Sequence, residues 1–430
     1  MLPEGKRLGC QSVPPVTISN LPDNVIDVIL MCLPLRDAVR TSILSKKWRY
    51  VWSRLPELTL DQTLWETTKD FISPTIKFTN IIYHILTLHS GPIMKFTLSI
   101  PNLGNCPKFD NLMYFLSKND IQDLVLYLPN ENPYSYKLPS SFFTCLRMRH
   151  LALENCLLHP PPDFNGFDRL VSLELYEVTI TSKLLESLVN RSPLLERLVL
   201  RGLYIQDHIQ VNAANLSCFK FTGSIKSISF KNVPLLEELL LWDTTPSENA
   251  GESDIAKWFD SCHALEYLHV NHGVVQSLAA GAGEVLTKLP CAFNCLRRLR
   301  LSDISLRELD EVSGAFCLIR SSPYLHDMEI KVFNDDDGEI PALDSLEGFK
   351  DVTFNHLRTV KLEGITGTKL EIQLIKLLLV KSPVLVRMQI EPGLGDNSPQ
   401  TRLKLLVELI KFRRASTEAE VVYNLDYDTV

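Results

Sequence analysis

The amino-acid sequence predicts an α/β protein in which a small all-α unit precedes a long solenoid of parallel strands and helices, closed by a capping segment. Three observations predict this fold class. Helical periodicity fills residues 18–55, one apolar pattern then recurs thirteen times, and the chain closes with a helical run followed by a short apolar strand.

The all-α unit is predicted from the segment ISNLPDNVIDVILMCLPLRDAVRTSILSKKWRYVWSRL, residues 18–55. Pro22 suits the first position of a helix whose apolar residues recur at helical spacing until Pro34 ends it. A second helix is predicted over 36–43, and Ser45 is expected to cap a third. So few residues cannot enclose three apolar helix faces, so part of this surface is expected to dock on a partner.

The spacing of leucine, proline and tryptophan in this unit resembles an F-box. The matching segments are Leu21-Pro22, Ile29-Leu30, Leu33-Pro34-Leu35, Val39, Leu44-Ser45-Lys46, Trp48-Arg49 and Trp52. In F-box proteins the module binds a Skp-type adaptor that links it to the cullin and RING subunits of a ubiquitin ligase. The resemblance implies that ten residues form the core and adaptor face: Leu21, Pro22, Ile29, Leu30, Leu33, Pro34, Val39, Leu44, Trp48 and Trp52. The alternative is an ordinary three-helix cap whose tryptophans are only core.

Composition limits the class of protein. Of the 430 residues, 45% are hydrophobic and 22% are charged, which is typical of a folded chain. The first sixteen residues contain no apolar leader and no later run approaches the length of a membrane span, so we expect a non-secreted protein without a membrane segment. Ten cysteines without a regular framework favour reduced thiols, in the cytoplasm or the nucleus.

Charge distinguishes the amino-terminal unit from the rest of the chain. Residues 17–56 carry six basic and three acidic side chains, a net charge of +3 in a chain whose total is −7. A local basic face on an acidic chain favours an acidic protein partner. Nucleic acid is not expected as a partner, because its binding needs basic charge over a broad surface.

The middle of the chain repeats the pattern Φ-x-x-Φ-x-Φ, where Φ is apolar. In each copy the last two Φ residues alternate along a short strand and face the interior, while the residues between and beside them face a concave surface. After a first spacing of 38 residues, successive copies begin 20 to 32 residues apart, which resembles leucine-rich repeats. A non-repeat α/β domain is the alternative. The copies begin at Leu55, Ile93, Ile121, Met148, Leu170, Leu195, Leu216, Leu236, Leu265, Leu296, Leu325, Leu357 and Leu385.

Helices are predicted between strands, for example over 181–190 and 371–380, where they would cover the convex side. Several are followed by a Ser-Pro pair, as at Ser192-Pro193. Proline stops a helix and returns the preceding residue to an extended conformation, so each pair is expected to reset the chain for the next strand.

The tail resembles the FBD module found at the end of plant F-box and leucine-rich-repeat proteins. The matching residues are Phe354, Leu357, Leu362, Gly364, Gly367, Glu371, Leu378, Ser382-Pro383, Leu385 and Ile390. We interpret the tail as two last repeats, a closing helix over 402–413 and an edge strand over 420–423, which together cap the open end of the solenoid. The predicted domains are a flexible segment over 1–16, the F-box over 17–56, the repeats over 57–345 and the FBD module over 346–430.

No catalytic residue, metal site or cofactor site is predicted. The acidic loop over 334–339 lacks the spacing of a calcium loop, and the glycines of 281–283 lack the other residues of a phosphate-binding loop. Three histidines near Cys262 match no zinc template, and no nucleophile elbow is found. We therefore expect a non-enzymatic protein.

A binding surface is predicted on the concave face. Strand geometry places five of its residues near one another: Trp242, Tyr267, His269, Arg298 and Arg300. With the F-box resemblance, this predicts the substrate-recognition subunit of an SCF-type E3 ubiquitin ligase, whose repeats hold an unknown target protein for ubiquitination. Two alternatives stay open: a repeat scaffold that joins no ligase, and a receptor that depends on a small ligand.

Overall fold

The computed structural model describes residues 21–61, 64, 74–99, 109–129, 136–203, 208–244, 259–280, 288–333, 352–393 and 399–424. The chain divides into two compact units, Met1–Tyr134 with Leu138–Met148 and Ser135–Lys137 with Arg149–Val430. Three segments discussed above lie outside the described residues: the amino-terminal 1–16, the glycine segment 281–283 and the acidic loop 334–339.

The first unit begins with the helical module predicted from the sequence. Its elements are α1 (Asp23–Met31), α2 (Leu35–Arg40) and two short 3-10 helices, Thr41–Ile43 and Val51–Arg54. The module is folded around a small core that includes Ile26 and Leu30 of α1, both fully buried, and the ring of Trp48. Ile26 and Leu30 are four residues apart, so they lie on the same face of the helix.

Two local predictions for this module are wrong. Pro22 is not the first helical residue but the residue before it, with φ −60° and ψ 149°, and its carbonyl oxygen accepts a hydrogen bond from the N–H of Ile26. The third helix is not an α-helix, since residues 46–50 form turns before the 3-10 helix Val51–Arg54. Among the described residues the Ser45 hydroxyl makes no hydrogen bond and therefore caps nothing. Aromatic and β-branched residues in this stretch have low helix propensity, so burial of the tryptophans sets the local conformation.

The rest of the first unit contains the first three predicted repeat strands. Its further elements are β1 (Glu57–Leu60), α3 (Pro74–Leu88), β2 (Lys95–Ser99), α4 (Phe109–Ser117), β3 (Asp123–Tyr127) and a 3-10 helix, Ser140–Thr144. Strand β1 pairs with β2 and β2 with β3, all in parallel. The register aligns Leu58, Phe96 and Leu124, and all three are fully buried.

The second unit contains a long parallel sheet. Its strands are β4 (Tyr136–Lys137), β5 (His150–Glu154), β6 (Cys156–Leu157), β7 (Ser172–Tyr176), β8 (Arg197–Arg201), β9 (Ile209–Asn212), β10 (Cys218–Gly223), β11 (Ile228–Asn232), β12 (Glu238–Asp243), β13 (Tyr267–Asn271), β14 (Arg298–Ile304), β15 (Asp327–Val332), β16 (Thr359–Ile365), β17 (Arg387–Pro392) and β18 (Glu420–Tyr423). The sheet has the order β5, β7, β8, β10 and then β12 to β18. Strands β4 with β6, and β9 with β11, form two short parallel pairs outside it.

The repeat prediction is confirmed strand by strand. Each of the thirteen copies of Φ-x-x-Φ-x-Φ gives a strand that begins two residues after its first apolar residue, and β18 matches the predicted edge strand 420–423. The last two apolar positions are buried, as Leu239 and Leu241 of β12 illustrate. The pattern therefore identifies both where each strand begins and which face it buries.

The helices of the second unit are less regular than its strands. They are α5 (Ser182–Asn190), α6 (His272–Ala280), α7 (Leu309–Arg320), α8 (Lys369–Lys381) and α9 (Pro399–Lys411), with short 3-10 helices at Ile225–Ser227 and Phe259–Ser261. The three helices predicted at 181–190, 371–380 and 402–413 are present, with ends displaced by at most three residues. Between β8 and β12, strands β9 and β11 stand where helices were expected. The 20-residue and 21-residue spacings there leave no room for a strand, two turns and a full helix.

A left-handed backbone position recurs at the end of five strands, directly after β5, β7 and β8 and at the second-last residue of β14 and β16. It lies seven residues after the first Φ of the repeat, with φ between +50° and +80°, at Asn155, Glu177, Gly202, Asp303 and Gly364. At Gly364 a side chain is excluded, because a Cβ there would stand against the carbonyl oxygen of Val332. Strands β5, β7 and β8 end before this position, whereas β14 and β16 shift register around it and continue for one more residue.

Candidate functional site

The helical module separates its predicted adaptor residues into buried and exposed groups. Leu30, Trp48 and Trp52 are buried within the module, whereas Leu21 is half-buried. Six are exposed: Pro22, Ile29, Leu33, Pro34, Val39 and Leu44. The buried group can shape the module, and only the exposed group is available to touch a partner without a change in its fold.

Five exposed apolar side chains define what we call the module surface: Ile29, Leu33, Val39, Ile43 and Leu44. Ile43 is 88% exposed and Leu44 is 55% exposed, although both follow directly on α2. Burial of such side chains contributes about 25 cal/mol of favourable free energy per Å² of apolar area. A partner that covers the module surface would therefore bind with this contribution. Ile43 was missed from the sequence, although it is apolar and directly precedes Leu44.

The acidic groups of the module are neutralised internally. Its three carboxylates form the ion pairs Asp23 with Lys47 at 3.1 Å, Asp27 with Arg54 at 3.8 Å and Asp37 with Arg40 at 3.2 Å. Among the described residues Lys46 and Arg49 have no ion pair, and both are exposed. The positive charge that the sequence predicts for this unit is thus carried on its surface, where an acidic partner can reach it.

The end of the module is bonded to the beginning of the repeats. The carbonyl oxygen of Ser53 accepts hydrogen bonds from the N–H groups of Ser90 at 2.9 Å and Gly91 at 3.2 Å. That of Pro56 accepts from Met94 at 2.8 Å. A Cβ at Gly91 would lie 2.9 Å from the backbone of Arg54, so the close approach requires glycine. Within the first unit, the module is therefore fixed to β2 by backbone bonds.

The second unit brings together four of the five residues predicted for the concave surface. The ring of Trp242 meets the ring of His269 edge to face, with centroids 6.0 Å apart, and the Tyr267 centroid lies 6.5 Å from that of His269. The guanidinium of Arg298 lies over the Tyr267 ring at 4.9 Å. We call these four residues the aromatic patch.

Arg300, the fifth predicted residue, is held in ion pairs. Its guanidinium lies 3.1 Å from the Glu329 carboxylate and 3.9 Å from that of Glu363. It still influences the patch, since burial together with the positive charge of Arg300 lowers the pKa of His269 to about 4. His269 is therefore neutral near pH 7, and it hydrogen-bonds the Ser302 hydroxyl at 2.8 Å.

A cavity of about 330 Å³ adjoins the aromatic patch. Its lining is Arg201, Lys220, Phe221, Thr222, Leu240, Leu241, Trp242 and His269. The contribution of β10 was missed from the sequence, although Lys220 stands between the two interior residues Phe219 and Phe221 and so had to face the patch. Strand alternation also predicts Val199, Asn271 and Ser302 on the concave face, but all three are buried. Asn271 hydrogen-bonds the backbone of Asp243 in both directions at 2.9 Å.

Outside these surfaces, one contact joins a cysteine to a histidine. The Cys291 thiol lies 3.9 Å from Nδ1 of His263, but no group of three or more metal-ligating side chains is found in the described part of the chain. No helix among the described residues is long and apolar enough to cross a bilayer.

Comparison with known proteins identifies the family. A model described as the F-box domain matches residues 18–60, and one described as "FBD-associated F-box protein At5g56370, LRR repeats" matches residues 109–269. A solved internalin from Listeria monocytogenes covers 94% of both chains at 12% identity, with a TM-score of 0.35, which is too low to support an argument.

Three Arabidopsis thaliana relatives align over most of the chain. F-box/LRR-repeat protein At5g02910 is 29% identical over 73% of this chain and 71% of its own length. Putative F-box/FBD/LRR-repeat protein At4g03220 is 23% identical over 95% of both. F-box/FBD/LRR-repeat protein At1g13570 is 31% identical over 96% of this chain and 99% of its own length. Because that last alignment runs through the helical module, the repeats and the tail alike, the chain belongs to the F-box/FBD/LRR-repeat family.

Proposed function

We propose that the protein is the substrate-recognition subunit of an SCF-type E3 ubiquitin ligase. The observation that carries the proposal is the module surface, in which Ile43 and Leu44 are exposed on a domain that matches the F-box model. The F-box binds a Skp-type adaptor and through it the cullin and RING subunits, and the repeats hold the target protein. The chain itself performs no chemistry, uses no cofactor and works in the cytoplasm or the nucleus.

The junction between the F-box and the repeats supports this role. Ubiquitin transfer requires a target to be held in a fixed position relative to the catalytic subunits, because orientation supplies much of the rate in such a complex. The backbone bonds from residues 53–56 to residues 90–95 fix the F-box to the first repeat strands of its own unit. The F-box is thus joined to β2 without a free linker.

The test is co-purification with a Skp-type adaptor. We expect wild type to form a stoichiometric complex and the double variant Ile43→Asp, Leu44→Asp to lose at least about tenfold in affinity, since charges would be buried against an apolar partner. Both side chains are exposed in the free chain, so its melting temperature should be unchanged. The double variant Leu21→Ala, Pro22→Ala tests the predicted family contacts in the same assay.

A matched control is available on α9. Leu403 is 62% exposed and Ile410 is 79% exposed, so Leu403→Asp with Ile410→Asp makes the same chemical change on a surface of the second unit. This control should bind the adaptor as wild type does. If wild type binds no Skp-type adaptor, the ligase proposal fails and a repeat scaffold remains.

The aromatic patch is the proposed contact for the target protein. Trp, Tyr and Arg dominate interface energies, and Trp242, Tyr267 and Arg298 are all at least partly exposed. Trp242→Ala with Tyr267→Ala should stop the accumulation of targets on a complex whose cullin is inactive, while adaptor binding is retained. Unchanged target accumulation would contradict the assignment.

The cavity beside Trp242 favours one second candidate, a receptor that needs a small ligand. Its volume of about 330 Å³ is at the lower end of the range for small-molecule sites. A ligand that binds there should raise the melting temperature of wild type but not of Trp242→Ala. If every ligand that stabilises wild type stabilises Trp242→Ala equally, this candidate fails.

A further inference from the structure

The residues directly before the strands of the second unit form a regular edge. The carbonyl oxygen of this residue accepts two hydrogen bonds from the next repeat. One comes from the N–H of the equivalent residue, and the other comes from the N–H of the first residue of the strand that follows it. Arg297, for example, accepts from His326 at 2.8 Å and Asp327 at 2.9 Å. The same pair of hydrogen bonds is accepted by the carbonyl oxygens of Arg149, Val171, Glu196, Ser217, Glu237, Glu266, His326 and Arg358. The backbone therefore presents these side chains in a fixed row, one per strand.

From Glu196 to Arg358 the charges in this row are sorted by sign, and Arg149, two strands before Glu196, lies outside this stretch. Three repeats on one side contribute the carboxylates of Glu196, Glu237 and Glu266, and the repeats that follow contribute the guanidinium groups of Arg297 and Arg358. All five side chains are exposed. We call Glu196, Ser217, Glu237, Glu266, Arg297, His326 and Arg358 the charged edge.

These charges differ from those of the neighbouring sheet face. There, Arg197 pairs with Glu174 at 2.9 Å and Lys220 pairs with Glu238 at 2.9 Å. Among the described residues, none of the five charged side chains of the edge has an ion pair within 4.0 Å. The edge therefore offers charge that the protein has not neutralised itself.

A cavity marks the basic half of the edge. It has a volume of about 350 Å³ and is lined by Glu266, Arg297, Arg298, His326, Asp327, Arg358 and Thr359. Asp327 accepts a hydrogen bond from the Thr359 hydroxyl, so its carboxylate is engaged at the cavity floor. Nδ1 of His326 is buried and has no partner among the described residues. An arginine pair beside a recess is suited to a carboxylate that enters it, because guanidinium groups bind carboxylates with two hydrogen bonds.

We propose that the charged edge binds an extended protein segment with one basic and one acidic stretch, the acidic stretch lying against Arg297 and Arg358. Nucleic acid does not fit, because a continuous polyanion would be repelled by the three carboxylates. Strands lie about 4.8 Å apart, so the row from β8 to β16 spans about 29 Å, the length of about nine extended residues. The inference rests on the proposed function, in which this segment belongs to the target protein.

The experiment uses the full chain bound to its adaptor and three fluorescent peptides of about twelve residues. One peptide has a lysine block and an aspartate block, one has the same residues in alternation, and one has lysine in place of every aspartate. Binding is measured by anisotropy at low salt. We expect the block peptide to bind about tenfold more tightly than the alternating one and to weaken as salt is raised.

Charge-reversal variants, tested with the same peptides, give a more specific test. Arg297→Glu with Arg358→Glu makes the edge uniformly acidic, so it should lose about tenfold for the block peptide and gain affinity for the all-lysine peptide. Adding Glu196→Lys, Glu237→Lys and Glu266→Lys inverts the row and should restore binding of the block peptide, which can bind in the opposite direction. Lys183→Glu with Lys376→Glu, two exposed lysines on α5 and α8, makes the same change in net charge elsewhere and should alter nothing.

The outcomes are distinguishable. Equal binding of block and alternating peptides overturns the proposal while leaving adaptor binding, and with it the ligase assignment, intact. Adaptor binding is measured in its own assay. If the chain binds no adaptor, the peptides can still be tested on the free chain. The edge is also complementary to a second copy of itself, so self-association of wild type that Arg297→Glu with Arg358→Glu abolishes, in sedimentation velocity, would assign the edge to that contact instead.

Discussion

The F-box and the repeats solve the same problem of apolar burial in opposite ways. In the repeats, the two inner residues of each strand are buried within the sheet, as Leu239 and Leu241 are in β12. In the F-box, Leu30 and Trp48 are buried but Ile43 is 88% exposed. The strand interior of the repeats is thus covered within the chain, whereas the F-box leaves apolar side chains next to its core exposed.

Helix capping shows the same contrast. Helices α1 and α2 are each preceded by a proline, Pro22 and Pro34, which donates no hydrogen bond and offers no side-chain cap. In α5 and α8, Thr181 and Thr368 accept a hydrogen bond from the third helical residue. Helices α5 and α8 therefore have a side-chain cap that α1 and α2 lack, and we expect α1 and α2 to be less stable than these two.

The largest expected effect is in the repeats. Gly364→Ala places a methyl group against the Val332 carbonyl oxygen at φ +80°, so we expect a loss of about 4 kcal/mol in the unfolding free energy. Urea unfolding measures it. Gly367→Ala is the matched control, because its φ is +89° but the nearest atom to its Cβ is 4.0 Å away. Its cost should be about 1 kcal/mol. Equal losses in the two variants would show that backbone strain, not the close approach, sets the cost.

The second prediction separates the two kinds of apolar residue in the F-box. Leu30→Ala removes a fully buried side chain and should cost about 3 kcal/mol, whereas Ile43→Ala should change the stability of the free chain by less than about 0.5 kcal/mol. Thermal unfolding of the free chain measures both. In the adaptor complex Ile43→Ala should cost more than it does in the free chain, because the Ile43 side chain is then buried too. If Ile43→Ala costs the same with and without adaptor, the module surface is not the contact.

The third prediction concerns the loop before α8, whose N–H groups donate hydrogen bonds to Glu371. The buried carboxylate of Glu371 accepts hydrogen bonds from the N–H groups of Gly367 at 2.6 Å, Thr368 at 2.8 Å and Thr366 at 3.1 Å. Glu371→Ala leaves these donors buried without partners and should cost about 2 to 3 kcal/mol in urea unfolding. Glu371→Gln keeps one acceptor oxygen, so it should cost less. A loss as large in Glu371→Gln as in Glu371→Ala would mean that the charge matters more than the hydrogen bonds.

The sequence predicted the repeats well because their pattern is local and periodic. The starts of thirteen strands followed from Φ-x-x-Φ-x-Φ, since a period-two pattern can bury only one face, whereas β4, β6, β9 and β11 lie outside the thirteen copies. The left-handed turns at Asn155, Glu177 and Asp303 could not be predicted that way, because their φ is imposed by the turn and not by glycine. The prediction of a third F-box helix was wrong for a related reason, because burial of the tryptophans sets the local conformation in place of the helix that their spacing predicted.

The aromatic patch and the charged edge also differ in how far the sequence predicts them. The aromatic patch followed from strand alternation, which placed Trp242, Tyr267 and His269 on one side. That alternation could not show that Arg300 would be held by Glu329 and Glu363, because ion pairs between neighbouring strands depend on side-chain rotamers. The charged edge lies just outside the strands, where the pattern carries no information about exposure or pairing.

The smallest expected effect is a pH dependence confined to the repeats. Burial holds the pKa of His269 at about 4 in the folded chain, below its ordinary value of 6.5. Between these two values the unfolded chain binds a proton that the folded chain does not, so this group lowers stability as the pH falls from 6.5 towards 4. Because the ring is partly exposed, we expect about 1 kcal/mol between pH 7 and pH 5. His269→Gln should lose less stability than wild type over this range in urea unfolding. Groups whose pKa is raised, such as Glu311, act in the opposite direction but are common to both chains and cancel in the difference. Identical pH profiles for wild type and His269→Gln would show that the ring is hydrated in solution and that the aromatic patch is more open than its contacts indicate.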